Sequence, residues 1–65
     1  MMFVGFHVYI GGQRYFVARF DKARICYTLR NVTMIPPSNL ESTIHAKDFE
    51  YLRARGVLQV LRRPQ

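Results

Sequence analysis

The 65-residue chain has a single cysteine, Cys26. That excludes an internal disulfide, and no Cys/His cluster has the spacing of a zinc site. A domain of this size buries only about 60% of its unfolded surface, and disulfides or structural metals often make up the deficit. With neither expected, a second copy of the chain is a plausible stabiliser, and a homodimer is one expectation. No apolar run approaches the roughly 18 residues of a membrane span, so no membrane partner is expected. The N-terminus lacks the basic start and small-residue cleavage site of a secretory leader, which points to the cytoplasm. There is no repeat, low-complexity tract or linker, so residues 1–65 read as a single domain. Acids are scarce: four, against ten Lys and Arg, for a net charge of +6 and a pI near 10.3. Eight of the ten cations are arginine, whose planar fork suits phosphate, carboxylate and aromatic stacking.

What the chain does have is aromatic and β-branched sequence around a glycine pair. Phe3 to Ile10, Gly11-Gly12, then Gln13 to Phe20 is a hairpin pattern. Val4, Phe6, Val8 and Ile10 form one apolar face of the first strand. A two-residue turn at Gly11-Gly12 sets Val8 opposite Tyr15. A loop one residue longer sets Val8 opposite Phe16, and it collects Phe16, Ala18 and Phe20 on the apolar side. A one-residue slip exchanges the two faces, so hydrophobic pattern favours the longer loop, although the glycine pair alone argues for the tight turn. The opposite face then carries Phe3, His7, Tyr9, Tyr15, Val17 and Arg19.

Asp21-Lys22-Ala23 reads as a polar turn, and Arg24 to Met34 as a third strand. A short turn there sets Phe20 opposite Ile25 and Ala18 opposite Tyr27. Ile25, Tyr27 and Leu29 then join the core, while Cys26, Thr28 and Arg30 join the other face. The apolar parity changes at Val32 and Met34, which suggests a bulge near Arg30-Asn31. Pro36-Pro37 ends the sheet. Ser38-Asn39-Leu40-Glu41 has the form of a capping box. Ser42-Thr43-Ile44 is a poor helix interior, so Ser38–Ile44 is read as a turn or an early helical turn and the helix as about His45–Arg55. Ala46, Phe49 and Leu52 face the sheet, and Gly56 stops the helix. Val57–Arg62 is a last strand, beside the first or the third. The predicted fold is α+β: a three-stranded antiparallel β-meander, one helix packed on one face and a C-terminal strand, in the order β-β-β-α-β. The alternative is an SH3-like small barrel with a helix.

The candidate site is the sheet face away from the helix. Aromatic rings there can stack on unpaired bases while arginines hold phosphates. The expected contact residues are Tyr9, Arg14, Tyr15, Arg19, Arg24, Thr28 and Arg30. A second cation set, Arg53, Arg55, Arg62 and Arg63, converges on one edge in this reading and clamps a phosphate backbone. The bland reading of such cations is a solvated rim, and exposed aromatics with arginine also make protein–protein hot spots. Cys26 and His7 share the non-core face, but an intervening strand separates them by about 10 Å, too far for a nucleophile–base pair. Glu41, Asp48 and Glu50 read as a solvated helix surface. No enzymatic site and no cofactor is expected. The compact basic form resembles the small accessory proteins of phages and plasmids in size and composition, which implies action by stoichiometric binding. The leading expectation is a non-enzymatic protein that docks on nucleic acid or a nucleoprotein assembly. The rival is an inhibitor or adaptor that uses the same face on a protein partner, including a nucleic-acid-binding one.

Overall fold

The structure is a computed structural model that describes residues 2–33 and 41–61. The fold is α+β. Strands β1 (His7–Ile10), β2 (Gln13–Asp21), β3 (Cys26–Asn31), β4 (Glu41–His45) and β5 (Leu58–Leu61) form one antiparallel sheet, and helix α1 (Ala46–Ala54) lies between β4 and β5 in sequence. The spatial order is β4-β3-β2-β1-β5. The last strand therefore settles beside β1. Among the described residues no ladder joins β4 to β5, so the strands form an open sheet and not the closed small barrel of the alternative.

The first hairpin turns tightly at Gly11-Gly12, against the longer loop that the pattern favours. Val8 pairs with Tyr15, His7 with Phe16 and Tyr9 with Arg14. Both glycines have positive φ, +58° and +84°, as a two-residue hairpin turn of the primed type requires. The pattern misleads because β2 changes parity within itself. Its register against β3 shifts between Val17 and Arg19, leaving Ala18 as a bulge residue. Before the bulge Tyr15 and Val17 face the core; after it Phe20 does. Phe16, counted with the core in the sequence pattern, lies on the other face beside His7, their ring centroids 5.3 Å apart. The bulge expected near Arg30-Asn31 is thus found one strand earlier, and Met34 lies outside the described residues.

The second turn also differs. Phe20 pairs with Tyr27 and Asp21 with Cys26, not Phe20 with Ile25 or Ala18 with Tyr27. The Asp21 carboxylate accepts the N–H groups of Ala23 and Arg24, which closes the turn locally. Ile25 is not in the core. It is 50% exposed and has φ +57°, an unusual conformation for a β-branched residue. Its carbonyl accepts the N–H of Ala46 at 2.8 Å, tying the turn to the first residue of the helix.

The segment Glu41–His45, expected as turn, is a strand paired with β3 from Arg30–Glu41 to Cys26–His45. Its β-branched residues, Thr43 and Ile44, disfavour helix for the same χ1 reason that they suit a pleated edge. Glu41 is accordingly a strand residue and not part of a helical acidic surface. The other capping-box residues lie outside the described residues, as do Pro36 and Pro37.

Helix α1 begins close to the expected place. His45 is its N-cap, with Nδ1 accepting the Lys47 N–H at 3.0 Å. Gly56, at φ +79°, ends it: the Gly56 N–H bonds to the Arg53 carbonyl and the Val57 N–H to the Leu52 carbonyl. The helix buries Phe49 completely against Phe3 and Tyr27, at centroid distances of 5.0 and 4.7 Å. Val8, Val17, Leu29 and Leu58 complete the core, with Val4, Ile10, Tyr15, Phe20, Ile44, Ala46, Leu52 and Val60 packed around it. Phe3, assigned to the outer face by alternation, is a core residue. It precedes β1 in a turn where the Phe6 N–H bonds to the Phe3 carbonyl, so strand alternation does not govern it.

Candidate functional site: the outer face of the sheet

Helix α1 covers one face of the sheet. Residues directly opposite in an antiparallel ladder share a face, so the registers define the other. One row crosses all five strands: Leu61, His7, Phe16, Arg30, Glu41. At the usual strand spacing this row spans about 19 Å. On one side of it lie Gln59, Tyr9 and Arg14. On the other side lie Arg19, Thr28 and Thr43, then Asp21, Cys26 and His45.

Tyr9 is 39% exposed and faces Arg14 across the ladder. The backbone at Arg14 is well anchored. Its N–H donates to Thr33 Oγ1, and its carbonyl accepts the N–H of Val32 at 2.9 Å. The Arg14 Nε donates to His7 Nδ1 at 3.2 Å. That bond needs an unprotonated Nδ1, which places the proton of the neutral ring on Nε2. Burial, and then the Arg14 charge, lower the His7 pKa from its ordinary value near 6.5.

His7 makes a testable contribution to acid sensitivity. Its folded pKa lies below the unfolded one, so the unfolded chain takes up the proton first as pH falls. Stability should decline as pH drops from about 6.5 through the folded pKa, and level off below it. Thermal melts between neutral and mildly acid pH should show this decline, and His7→Gln should flatten it. Glu41 acts in a separate, more acidic window. Its carboxyl is held below the ordinary range, chiefly by the hydrogen bond from Arg19. Its contribution is therefore kept at mildly acid pH and lost only as pH falls through that lowered value.

Arg19 and Arg30 converge on Glu41. Arg19 Nη2 and Nη1 donate to Glu41 Oε1 and Oε2 at 2.8 and 3.4 Å. Arg30 Nη2 stands 3.6 Å from Oε2. Thr28, between the two arginines, is only 6% exposed although it faces away from the helix. Arg24 is exposed in the turn before β3.

The structure thus brings Tyr9, Arg14, Arg19, Thr28 and Arg30 to one face, with Arg24 at its end. It does not bring Tyr15 there, since that ring packs toward the core beside Val17. Arg53 and Arg55 are on the helix side. Arg53 stands over the Phe3 ring and pairs with Glu50, and Arg55 stands over Tyr51. Neither joins the sheet arginines, and Arg62 and Arg63 lie outside the described residues. Sequence reasoning missed Phe16 and Glu41 as outer-face residues. The signal for Phe16 was the glycine pair, whose preference for a tight turn fixes the register. Cys26 has Asp21 and His45 as its ladder neighbours and donates its thiol to the Arg24 carbonyl. Among the described residues, no group of three or more His, Cys, Asp or Glu is placed to hold a metal ion, and no helix is long and apolar enough to cross a membrane.

No family model, curated protein or solved structure matches this chain. The reading of the outer face rests on its own chemistry.

Proposed function

We propose that this is a small basic non-enzymatic binding protein of the cytoplasm. It docks on single-stranded nucleic acid, alone or within a nucleoprotein assembly, through the outer face of its sheet. One observation carries the reading. The helix occupies one side, and the other side sets Tyr9 against Arg14 and Phe16 against Arg30 in cross-strand pairs. Rings supply base stacking, and arginines one residue away supply phosphate contacts. The net charge of +6 favours capture of a polyanion.

A labelled oligothymidylate tests this by fluorescence anisotropy. Affinity should fall log-linearly with salt, by about 0.7 in slope for each phosphate neutralised. Tyr9→Ala should weaken binding by about 1–3 kcal/mol, the usual value of one stacked base, without unfolding the domain. Binding that ignores both salt and Tyr9 would exclude this face as the nucleic-acid contact.

A second reading draws on the half-buried row of Leu61, His7 and Phe16 and on the pairing of two arginines with Glu41. Such a surface suits burial against a protein, whether the target of a stoichiometric inhibitor or a second copy of the chain. It predicts one protein partner, or a dimer, that survives nuclease treatment and depends on Phe16 more than on salt.

A further inference from the structure

We propose that Arg19 and Arg30 form a phosphodiester seat on the outer face, which Glu41 fills while no ligand is bound. The inference rests on the nucleic-acid reading above and specifies where one backbone phosphate sits.

The arginines reach this position by different routes. Arg30 lies directly opposite Glu41 in the β3–β4 ladder. Arg19 lies on β2, a strand further away, opposite Thr28. It reaches diagonally across β3, and Thr28 is buried between it and Thr43. Only the bulge at Ala18 puts Arg19 on this side. With unbroken alternation Arg19 would share the helix face with Tyr15 and Val17, buried in or packed on the core. Re-aiming a side chain is a common use of a bulge, and here it assembles two guanidinium groups around one anion.

The anion they hold is exchangeable. An arginine fork binds carboxylate and phosphate with the same geometry. The three side chains are exposed to the extent of 64% for Arg19, 45% for Arg30 and 29% for Glu41. Ion pairs this open to solvent are weak, so replacing the carboxylate by a phosphate costs little. Two cations share one acid, which leaves an excess of positive charge for the incoming group. The seat adjoins Phe16, directly opposite Arg30, so a base next to the held phosphate meets a ring. Because its arginine partners hold the Glu41 carboxyl below the usual range, the seat opens near neutral pH by competition and not by protonation. Glu41 thereby pre-orients both arginines and lowers affinity for polyanions in general.

The test uses the full chain, with anisotropy of a labelled oligothymidylate across a salt series. Glu41→Gln should bind several-fold more tightly at low salt than the unsubstituted protein. Its slope of log affinity against log salt should steepen by roughly 0.7–1.4, for one or two added phosphate contacts. Glu41→Thr, which suits a strand, should do the same and guards against a folding defect in the first variant. Arg19→Ala added to Glu41→Gln should return the slope toward its original value. Glu50→Gln makes the same charge change on the helix side and should gain much less. Equal gains from Glu50→Gln and Glu41→Gln, or a slope indifferent to Arg19→Ala, would reduce the effect to net charge and overturn the seat. Unchanged affinity and slope in both Glu41 variants would overturn it while leaving the outer face as the binding surface. No oligothymidylate binding by any of these proteins would overturn the seat and the nucleic-acid reading together.

Discussion

Phe49→Ala is expected to cost the protein a large share of its stability. Phe49 is the buried residue of α1, has no exposed surface, and packs on the rings of Phe3 and Tyr27. Truncating a buried phenylalanine to alanine costs about 3–5 kcal/mol, from lost transfer energy and the cavity left behind. Domains carry roughly 0.05–0.15 kcal/mol of stability per residue, about 3–10 kcal/mol at this length. No internal disulfide limits the unfolded chain. The substitution therefore removes a large share of the total or all of it. Urea denaturation followed by circular dichroism would measure the loss, with Phe49→Leu as a milder companion that keeps much of the buried volume. A change below about 1 kcal/mol would mean that α1 is not seated on the sheet through this ring.

The second large effect is expected at the hairpin turn. Replacing Gly11 and Gly12 together by valine should destabilise the protein by roughly 2–4 kcal/mol, at about 1–2 kcal/mol for each side chain forced into the left-handed region. A Cβ added at either glycine meets nothing within 4 Å, so the cost lies in the backbone and not in crowding. Gly11→Asn should accordingly be close to neutral, because asparagine followed by glycine is a preferred pair in this turn. Denaturant midpoints of the two variants would separate these cases. A double valine variant as stable as the original protein would show that the chain tolerates another turn, and with it another register. That outcome would also disturb the pairing of Tyr9 with Arg14 on the outer face.

The helix and the hairpin differ in how far the amino-acid sequence alone reveals them. Helix α1 was legible from local rules: the three-residue spacing of Ala46, Phe49 and Leu52, His45 at the start and Gly56 at the stop. Tyr27, Leu29 and Phe20 were legible as core by alternation. The register of the first hairpin was not, because the two available signals disagreed. The glycine pair argued for a tight turn, whereas Phe16, Ala18 and Phe20 together argued for the longer loop. The bulge at Ala18 resolves the conflict, since it lets Val17 and Phe20 face the same side despite their odd separation. A bulge leaves no mark in local propensity; it appears only when the partner strand supplies the ladder. Strand β4 was missed for a related reason. Ser42, Thr43 and Ile44 show a poor helix former, but an edge strand becomes visible only when β3 stands beside it.

The amino-acid sequence by itself determined the class of fold, an arginine-rich positive charge, the position of the helix and the existence of a glycine-turned hairpin. Each of these depends on neighbours within a few residues or on a sum over the chain. The tertiary structure decided which aromatic rings face outward, that Phe16 replaces Tyr15 there, and that Arg19, Arg30 and Glu41 meet. Those outcomes depend on how strands slide against one another. Sliding is governed by ladder geometry and a single extra residue, and a one-residue change exchanges the two faces of a sheet.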